Sequence, residues 1–226
     1  MHDVRILVIG STGRTGRLAL DEGLRRGYAM TAFTRHPDAL AGVQGLRAIV
    51  SGDGRNLDDM RRAMRGQDAV ISIVSSEGFG ATTVMSDVMC SEVAAMREAG
   101  VRRLVVVSVS AIEGRRPWIL INLVRWILRK PYADFGRMER LVRSSGLDWT
   151  IVRPPRLTNG PATGSVRSEA GVKELRRGPY RITRADLAAT LLNLAADTKN
   201  PREVLLVSEA RQHAGRVRQS AARINP

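Results

Sequence analysis

The chain carries one cysteine, Cys90, among 226 residues. A single thiol excludes an internal disulfide framework and fits a reducing, cytoplasmic setting. On a helical segment it is expected to behave as a small buried hydrophobe. Lysine is scarce: of 36 Lys+Arg, only Lys130, Lys173 and Lys199 are lysine. Aromatic residues make up 4% of the chain against 43% hydrophobic overall, so the core should be mostly aliphatic. No apolar run reaches the roughly 20 residues of a bilayer span. The first residues pass directly into a strand pattern rather than a secretory leader, and a cytoplasmic location is expected. His2, His36 and His213 lie far apart and near no acid or cysteine cluster, so no metal site is expected.

The net charge of +14 raises the question of a nucleic-acid partner. The arginines, however, are scattered in pairs such as Arg25-Arg26, Arg61-Arg62 and Arg102-Arg103 near expected helix ends, where cations offset the helix dipole. No DNA- or RNA-recognition motif accompanies them, and no nucleic-acid partner is expected.

What is present is a rhythm. Val4–Ile9 reads as a strand buried on both faces, and Thr15–Arg26 as a helix stopped by Gly27. Strands follow at Ala29–Thr34 and Leu46–Val50, then a helix at Leu57–Arg65 capped by Asn56. Ala69–Val74 is a strand and Val84–Ala99 a helix closed by Gly100. Leu104–Val109, the helix Tyr132–Ser145 and Trp149–Val152 continue the alternation. Thr183, with Asp186 as its box partner, caps the helix Arg184–Ala196, and Val204–Val207 is a last short strand. Strand–helix alternation at this spacing predicts an α/β, Rossmann-type doubly wound parallel sheet with helices on both faces. Residues 1–208 are expected to form one domain and 209–226 a basic tail with four arginines. Pro154–Pro179 reads as a long irregular stretch. Together with the region after strand five it gives two substrate-side segments, 111–135 and 154–182.

The loop Gly10-Ser11-Thr12-Gly13-Arg14-Thr15-Gly16 stands between the first strand and the first helix. Glycines there let the backbone approach a pyrophosphate, and the helix N-terminus holds the anion. Sites for NAD place an acid at the tip of the second strand; sites for NADP place arginine there. This strand runs into Thr34-Arg35-His36-Pro37. Arg35 is therefore expected beside a 2′-phosphate, with Arg14 adding to it, which favours NADPH over NADH. Asp53, at the end of strand three, is placed to accept from an adenine amine.

GSTGRTG, TRHPD, GQDAVISIVSS, TTVMS and SGLDWTIVRPPRL together resemble the atypical short-chain dehydrogenases. Within them they are similar to the NAD(P)H-binding group that contains biliverdin reductase B, also called flavin reductase. The resemblance covers roughly residues 3–207. It implies a sheet order of 3-2-1-4-5-6. It implies that Gly10, Thr12, Gly13, Arg14, Thr15 and Gly16 hold the pyrophosphate, Arg35 the 2′-phosphate, and Asp53 with Gly54 the adenine. Val74, Ser75 and Ser76 would lie along the cofactor, with Ser110, Pro154, Pro155, Arg156 and Leu157 near the nicotinamide. The sequence departs from the family at the acid. Short-chain dehydrogenases use Tyr-x-x-x-Lys, but Tyr132 is followed four residues later by Gly136. Phe135 stands about where relatives place lysine or histidine, and Arg156 where the biliverdin reductase B-like proteins carry histidine. Ser110, Tyr132 and Arg156 are the candidate catalytic groups, and carbonyl reduction by a tyrosine acid is not expected.

Five of the nine aromatics, Phe79, Trp118, Trp126, Tyr132 and Phe135, follow strand tips. Of these, Phe79, Trp118, Trp126 and Phe135 are expected to line an acceptor pocket for a planar ring. The expected activity is hydride transfer from NADPH to a planar small molecule such as a flavin or a tetrapyrrole-like ring. The alternative is a non-catalytic NADP(H)-binding redox sensor. Trp118–Lys130 is a short apolar helix, a lid or subunit contact in preference to a membrane-surface helix. The oligomeric state is left as monomer or homodimer.

Overall fold

The computed structural model describes residues 4–75, 83–110, 129–171, 179–197, 199 and 202–210. Ser76, Phe79, Trp118, Trp126, most of the 118–130 segment and the tail beyond 210 lie outside the described residues.

The elements in chain order are β1 Arg5–Ile9, α1 Arg14–Arg25, β2 Ala29–Thr34, β3 Ala48–Ser51, α2 Leu57–Met64, β4 Ala69–Ser72, α3 Val84–Ala99 and β5 Arg103–Val107. They continue with α4 Arg129–Ser144, β6 Asp148–Arg153, β7 Arg156–Thr158, β8 Val166–Ala170, β9 Arg181–Thr183, α5 Arg184–Ala196 and β10 Glu203–Glu209. The main sheet has the order β3-β2-β1-β4-β5-β6-β10-β8. It is parallel through β10, and β8 pairs antiparallel to β10.

β1 explains why both faces are covered. Ile6 and Val8 join a core with Leu20 of α1 and Leu187, Leu191 and Leu192 of α5. Leu7 and Ile9 point the other way, into a core with Met60 and Met64 of α2, Met85, Met89 and Met96 of α3, and Met138 of α4. All four β1 side chains are almost fully buried, each worth about 1.5–3 kcal/mol against exposure. A strand with two buried faces needs helices on both, which is what a doubly wound sheet supplies.

The helix caps follow local chemistry. Asn56 accepts from the backbone N–H groups of Asp58 and Asp59 at the start of α2. Thr183 accepts from the Asp186 N–H at the start of α5. Thr83, before α3, makes no side-chain cap bond. Instead the buried Asp134 carboxylate of α4 accepts from the N–H groups of Met85 and Ser86 at 2.9 and 3.1 Å.

Three expectations are corrected. The stretch Pro154–Pro179 is not irregular throughout: it holds β7 and β8, and β7 pairs with β9 in a small second sheet. These strands are short and do not alternate clearly in polarity, so they leave little periodic signal. The last strand is longer than Val204–Val207, and Glu209 closes it rather than opening the tail. Cys90 is exposed. The inward stripe of α3 is Met85, Val88, Met89, Glu92, Val93 and Met96, and residue 90 falls on the opposite side.

Candidate dinucleotide site

The site begins where β1 ends. Gly10 has φ +81°, and a Cβ there would run into the Ile73 carbonyl at the neighbouring strand tip. A Cβ on Gly16 would run into the Gly10 carbonyl. Both positions require glycine: the first for backbone conformation and space, the second for space alone. Ser11 Oγ donates to the Phe33 carbonyl at 2.8 Å, tying the loop to β2. Gly13 N–H donates to the Gly10 carbonyl at 3.1 Å.

Gly13 is also the N-cap of α1. It offers no side chain, and the first turn of α1 holds no acid. The positive end of this helix is therefore not neutralised from within, in contrast to α3, where Asp134 fills that role. The loop fits an anion such as a pyrophosphate.

A cavity of about 280 Å³ opens beside the loop. Ile9, Gly10, Thr12 and Gly13 form one wall, and Phe33, Thr34, Arg35 and His36 of the β2 tip another. Asp53, Gly54 and Arg55 follow β3; Ile73, Val74 and Ser75 follow β4; Val84 and Val88 come from α3. Eight of the sequence-predicted cofactor residues thus surround one space: Gly10, Thr12, Gly13, Arg35, Asp53, Gly54, Val74 and Ser75. Thr15 and Gly16 are buried beneath the loop in α1.

Arg55 was not expected here. It pairs with Asp53 at 2.7 Å, and its own backbone N–H also donates to that carboxylate. These hydrogen bonds, with added attraction from Arg55 and Arg35, outweigh partial burial and hold the Asp53 carboxyl down at about 2. Asp53 therefore faces a guanidinium, and the cavity presents two arginines against one carboxylate. The net charge of these three side chains is positive, which suits an anion.

Arg14 does not line this cavity. It is exposed, and its charge repels that of Arg184, the first residue of α5. Burial first, and Arg14 second, push the Arg184 guanidinium below its usual range. Two cations thus approach one another beside the N-termini of α1 and α5, where an anion would relieve them.

The remaining predicted residues lie further along the strand tips. Ser110 is buried after β5, with its N–H donating to the Pro154 carbonyl after β6 at 3.4 Å. Its Oγ lies 3.4 Å from the Tyr180 hydroxyl. Pro154 and Pro155 are buried, whereas Arg156 is exposed on β7 in register with Arg181. Leu157 packs against the α1/α5 core. Tyr132 is half-buried on α4, and Phe135 packs against the opposite core, the one beneath α2, α3 and α4. Asp186 ties Thr163 and Gly164 to Thr183, three residues after Tyr180. Burial would raise its carboxyl, but hydrogen bonds from Thr163, Thr183 and Gly164 outweigh that and hold it below the usual range.

Among the described residues, no helix is long and apolar enough to cross a membrane, and no group of three or more His, Cys, Asp or Glu converges on a metal-sized site.

Glycine loop, open helix N-terminus and arginine-flanked cavity define a dinucleotide-binding Rossmann protein. The family model described as NAD(P)H-binding matches residues 10–198, and the chain belongs to that family. A Bacillus subtilis protein, "uncharacterized sugar epimerase YhfK", is 28% identical over 204 residues, covering 87% of this chain and 90% of that protein. A Streptomyces griseus reductase of (4-alkanoyl-5-oxo-2,5-dihydrofuran-3-yl)methyl phosphate is 33% identical over 150 residues, covering 66% of this chain and 46% of that protein. Among solved structures, the anaerobilin reductase ChuY from Escherichia coli O157:H7 superposes with TM-score 0.77 at 22% identity, covering 91% of this chain and 97% of that one. A short-chain dehydrogenase/reductase from Veillonella parvula, solved in complex with NADP, superposes with TM-score 0.76 at 20% identity, covering 94% and 97%. These structural likenesses concern the fold.

Proposed function

We propose that the protein is an NADPH-dependent reductase that passes hydride to a planar small-molecule acceptor. The observation that carries this reading is the pairing of an acid-free glycine loop with a cavity flanked by Arg35 and Arg55. When bound, the reduced nicotinamide supplies the hydride. Gly10, Gly13 and Gly16 let the backbone close on the pyrophosphate, with Arg14 and Arg184 offsetting its charge. Arg35 takes the 2′-phosphate, which an acid at the same strand tip would repel. Gly54 and Val88 wall the adenine side, and Val74 and Ser75 align the middle of the dinucleotide. Ser110, Pro154 and Pro155 then define the nicotinamide end. Holding acceptor and nicotinamide in contact is most of what hydride transfer asks of a protein. The reductases among the relatives support an acceptor of the small-molecule class.

The test is stopped-flow loss of NADPH absorbance with FMN, riboflavin and a linear tetrapyrrole offered in turn. Turnover above the free-solution rate with at least one acceptor is expected. Tight NADPH binding with no turnover on any of them would contradict the reading and match a redox sensor instead.

A further inference from the structure

The chain has three tyrosines. Tyr28 leads into β2 at the opposite edge of the sheet from the glycine loop, where it packs against the α1/α5 core. Tyr132 lies on α4 with Gly136 four residues on, so the usual helical lysine partner is missing. Tyr180 comes from a different part of the chain, immediately before β9, and its hydroxyl lies 3.4 Å from Ser110 Oγ.

The two hydroxyls differ in a useful way. Ser110 is 6% exposed and fixed at the tip of β5 by its hydrogen bond to Pro154 after β6. Tyr180 is 44% exposed. Its position is nevertheless set by its neighbours. Arg181 pairs with Arg156 across β7–β9 and forms an ion pair with Glu209 at 2.9 Å. Ile182 is fully buried, and Thr183 caps α5. One hydroxyl is thus shielded on a backbone held in place, and the other is in contact with water. Ser110 stands at the carboxyl edge of the main sheet after β5, on the same edge as the glycine loop and one strand beyond Val74, and Tyr180, which leads into β9 of the small sheet, reaches it there. A 3.4 Å separation is long for a hydroxyl pair and leaves both free to turn toward a third oxygen.

We propose that Ser110 and Tyr180 are the proton-delivering pair of this reductase, in place of the tyrosine acid that the sequence around Tyr132 does not support, and that its acceptor is a conjugated carbonyl compound whose oxygen both hydroxyls contact. The inference rests on the hydride-transfer reading above. A C–H bond forms at the carbonyl carbon with hydride from the reduced dinucleotide. The C=O π pair moves to oxygen, the Tyr180 O–H bond breaks, and its proton goes to that oxygen. Ser110 holds the oxygen by donating a hydrogen bond. The phenolate recovers a proton from water through the exposed face of the ring. The acceptor gains two electrons and two hydrogens, and the dinucleotide is oxidised. A flavin acceptor draws its second proton from solvent and depends less on the pair.

The experiment compares the full-length wild type with Tyr180→Phe, Ser110→Ala and Tyr132→Phe, using NADPH with isatin, a planar conjugated ketone, and separately with FMN. Tyr180→Phe is expected to lower kcat for isatin about a hundredfold. That loss should exceed its loss with FMN at least tenfold, while NADPH Kd stays within twofold of wild type. Ser110→Ala should show the same bias toward isatin. An unchanged isatin rate in Tyr180→Phe, equal losses with both acceptors, or a larger isatin loss in Tyr132→Phe would overturn the inference. Wild-type turnover of FMN but not isatin would overturn it while leaving the hydride-transfer reading in place. Turnover of neither would overturn that reading, and the inference with it.

Discussion

Arg55 and Asp53 close on each other across one turn of chain after β3, with Arg55 Nη2 2.7 Å from Asp53 Oδ2 and Nε 3.2 and 3.3 Å from the two carboxylate oxygens. An acid that reads as an adenine acceptor in the sequence is thereby engaged with a guanidinium in the same cavity. If its work is to hold Arg55, Asp53→Asn should sharpen the preference for NADPH over NADH severalfold. Both side chains are well exposed, so the effect should stay within about 1 kcal/mol. Equal weakening of both cofactors, measured by fluorescence titration, would return Asp53 to an adenine role.

Gly16→Ala should disable the loop. The new methyl group would meet the Gly10 carbonyl, which already accepts from Gly13 N–H, so neither neighbour can retreat without opening the turn. Overpacking of this kind costs about 1–3 kcal/mol. A lower melting temperature together with weaker NADPH binding is the expected result. Wild-type affinity in the alanine variant would show that the loop does not approach the pyrophosphate closely.

Glu92 makes stability depend on pH. It is fully buried on α3, accepts from Ser72 Oγ at 2.9 Å, and burial pushes its carboxyl up to about 8. The folded chain therefore keeps a proton that the unfolded chain gives up near 4.5. Between those values the folded state binds more protons, so stability falls as pH rises from about 4.5 to 8. Glu92→Gln, which cannot ionise, should raise the melting temperature more at pH 8 than at pH 5. An equal shift at both pH values would contradict this.

Glu139 and Arg153 form an ion pair buried between α4 and β6, with Arg153 Nε 2.9 Å from Glu139 Oε1. Removing the acid takes a close charge partner away from a guanidinium that is 1% exposed. Glu139→Ala should cost about 3–5 kcal/mol by urea denaturation. A loss below about 1 kcal/mol would mean that other neighbours satisfy Arg153.

Cys90 should react with a thiol reagent such as DTNB in the native protein, since it is exposed on α3. Reaction only after unfolding would place residue 90 on the inward stripe instead.

The parts of the fold legible in the sequence are those set by local rules. β2 and α3 fall on the expected boundaries because a buried parallel strand reads as a continuous apolar run and Gly100 ends the helix. Thr183 and Asn56 are visible as caps because the bonded N–H groups lie two or three residues away. Asp134 is invisible as a cap because its partners lie 48 and 49 residues earlier. The candidate site divides in the same way. Gly10, Gly13 and Arg35 are legible from their places at strand tips. Arg55 reads like any other arginine of an arginine-rich chain, and only the fold brings it to the cavity. Tyr180 stands 70 residues from Ser110, and no spacing rule joins them. The short strands β7, β8 and β9 are held by pairing and by the Asp186 contacts rather than by periodicity.

In the function proposed above, the cavity at the tips of β2 and β3 takes a 2′-phosphorylated dinucleotide through Arg35. The decisive measurement is isothermal titration of the wild type and Arg35→Ala with NADPH and with NADH. The substitution should weaken NADPH by about 1–3 kcal/mol, the range of a lost charge-assisted hydrogen bond, and leave NADH within about twofold. Equal losses for the two cofactors, or wild-type binding that favours NADH, would contradict it.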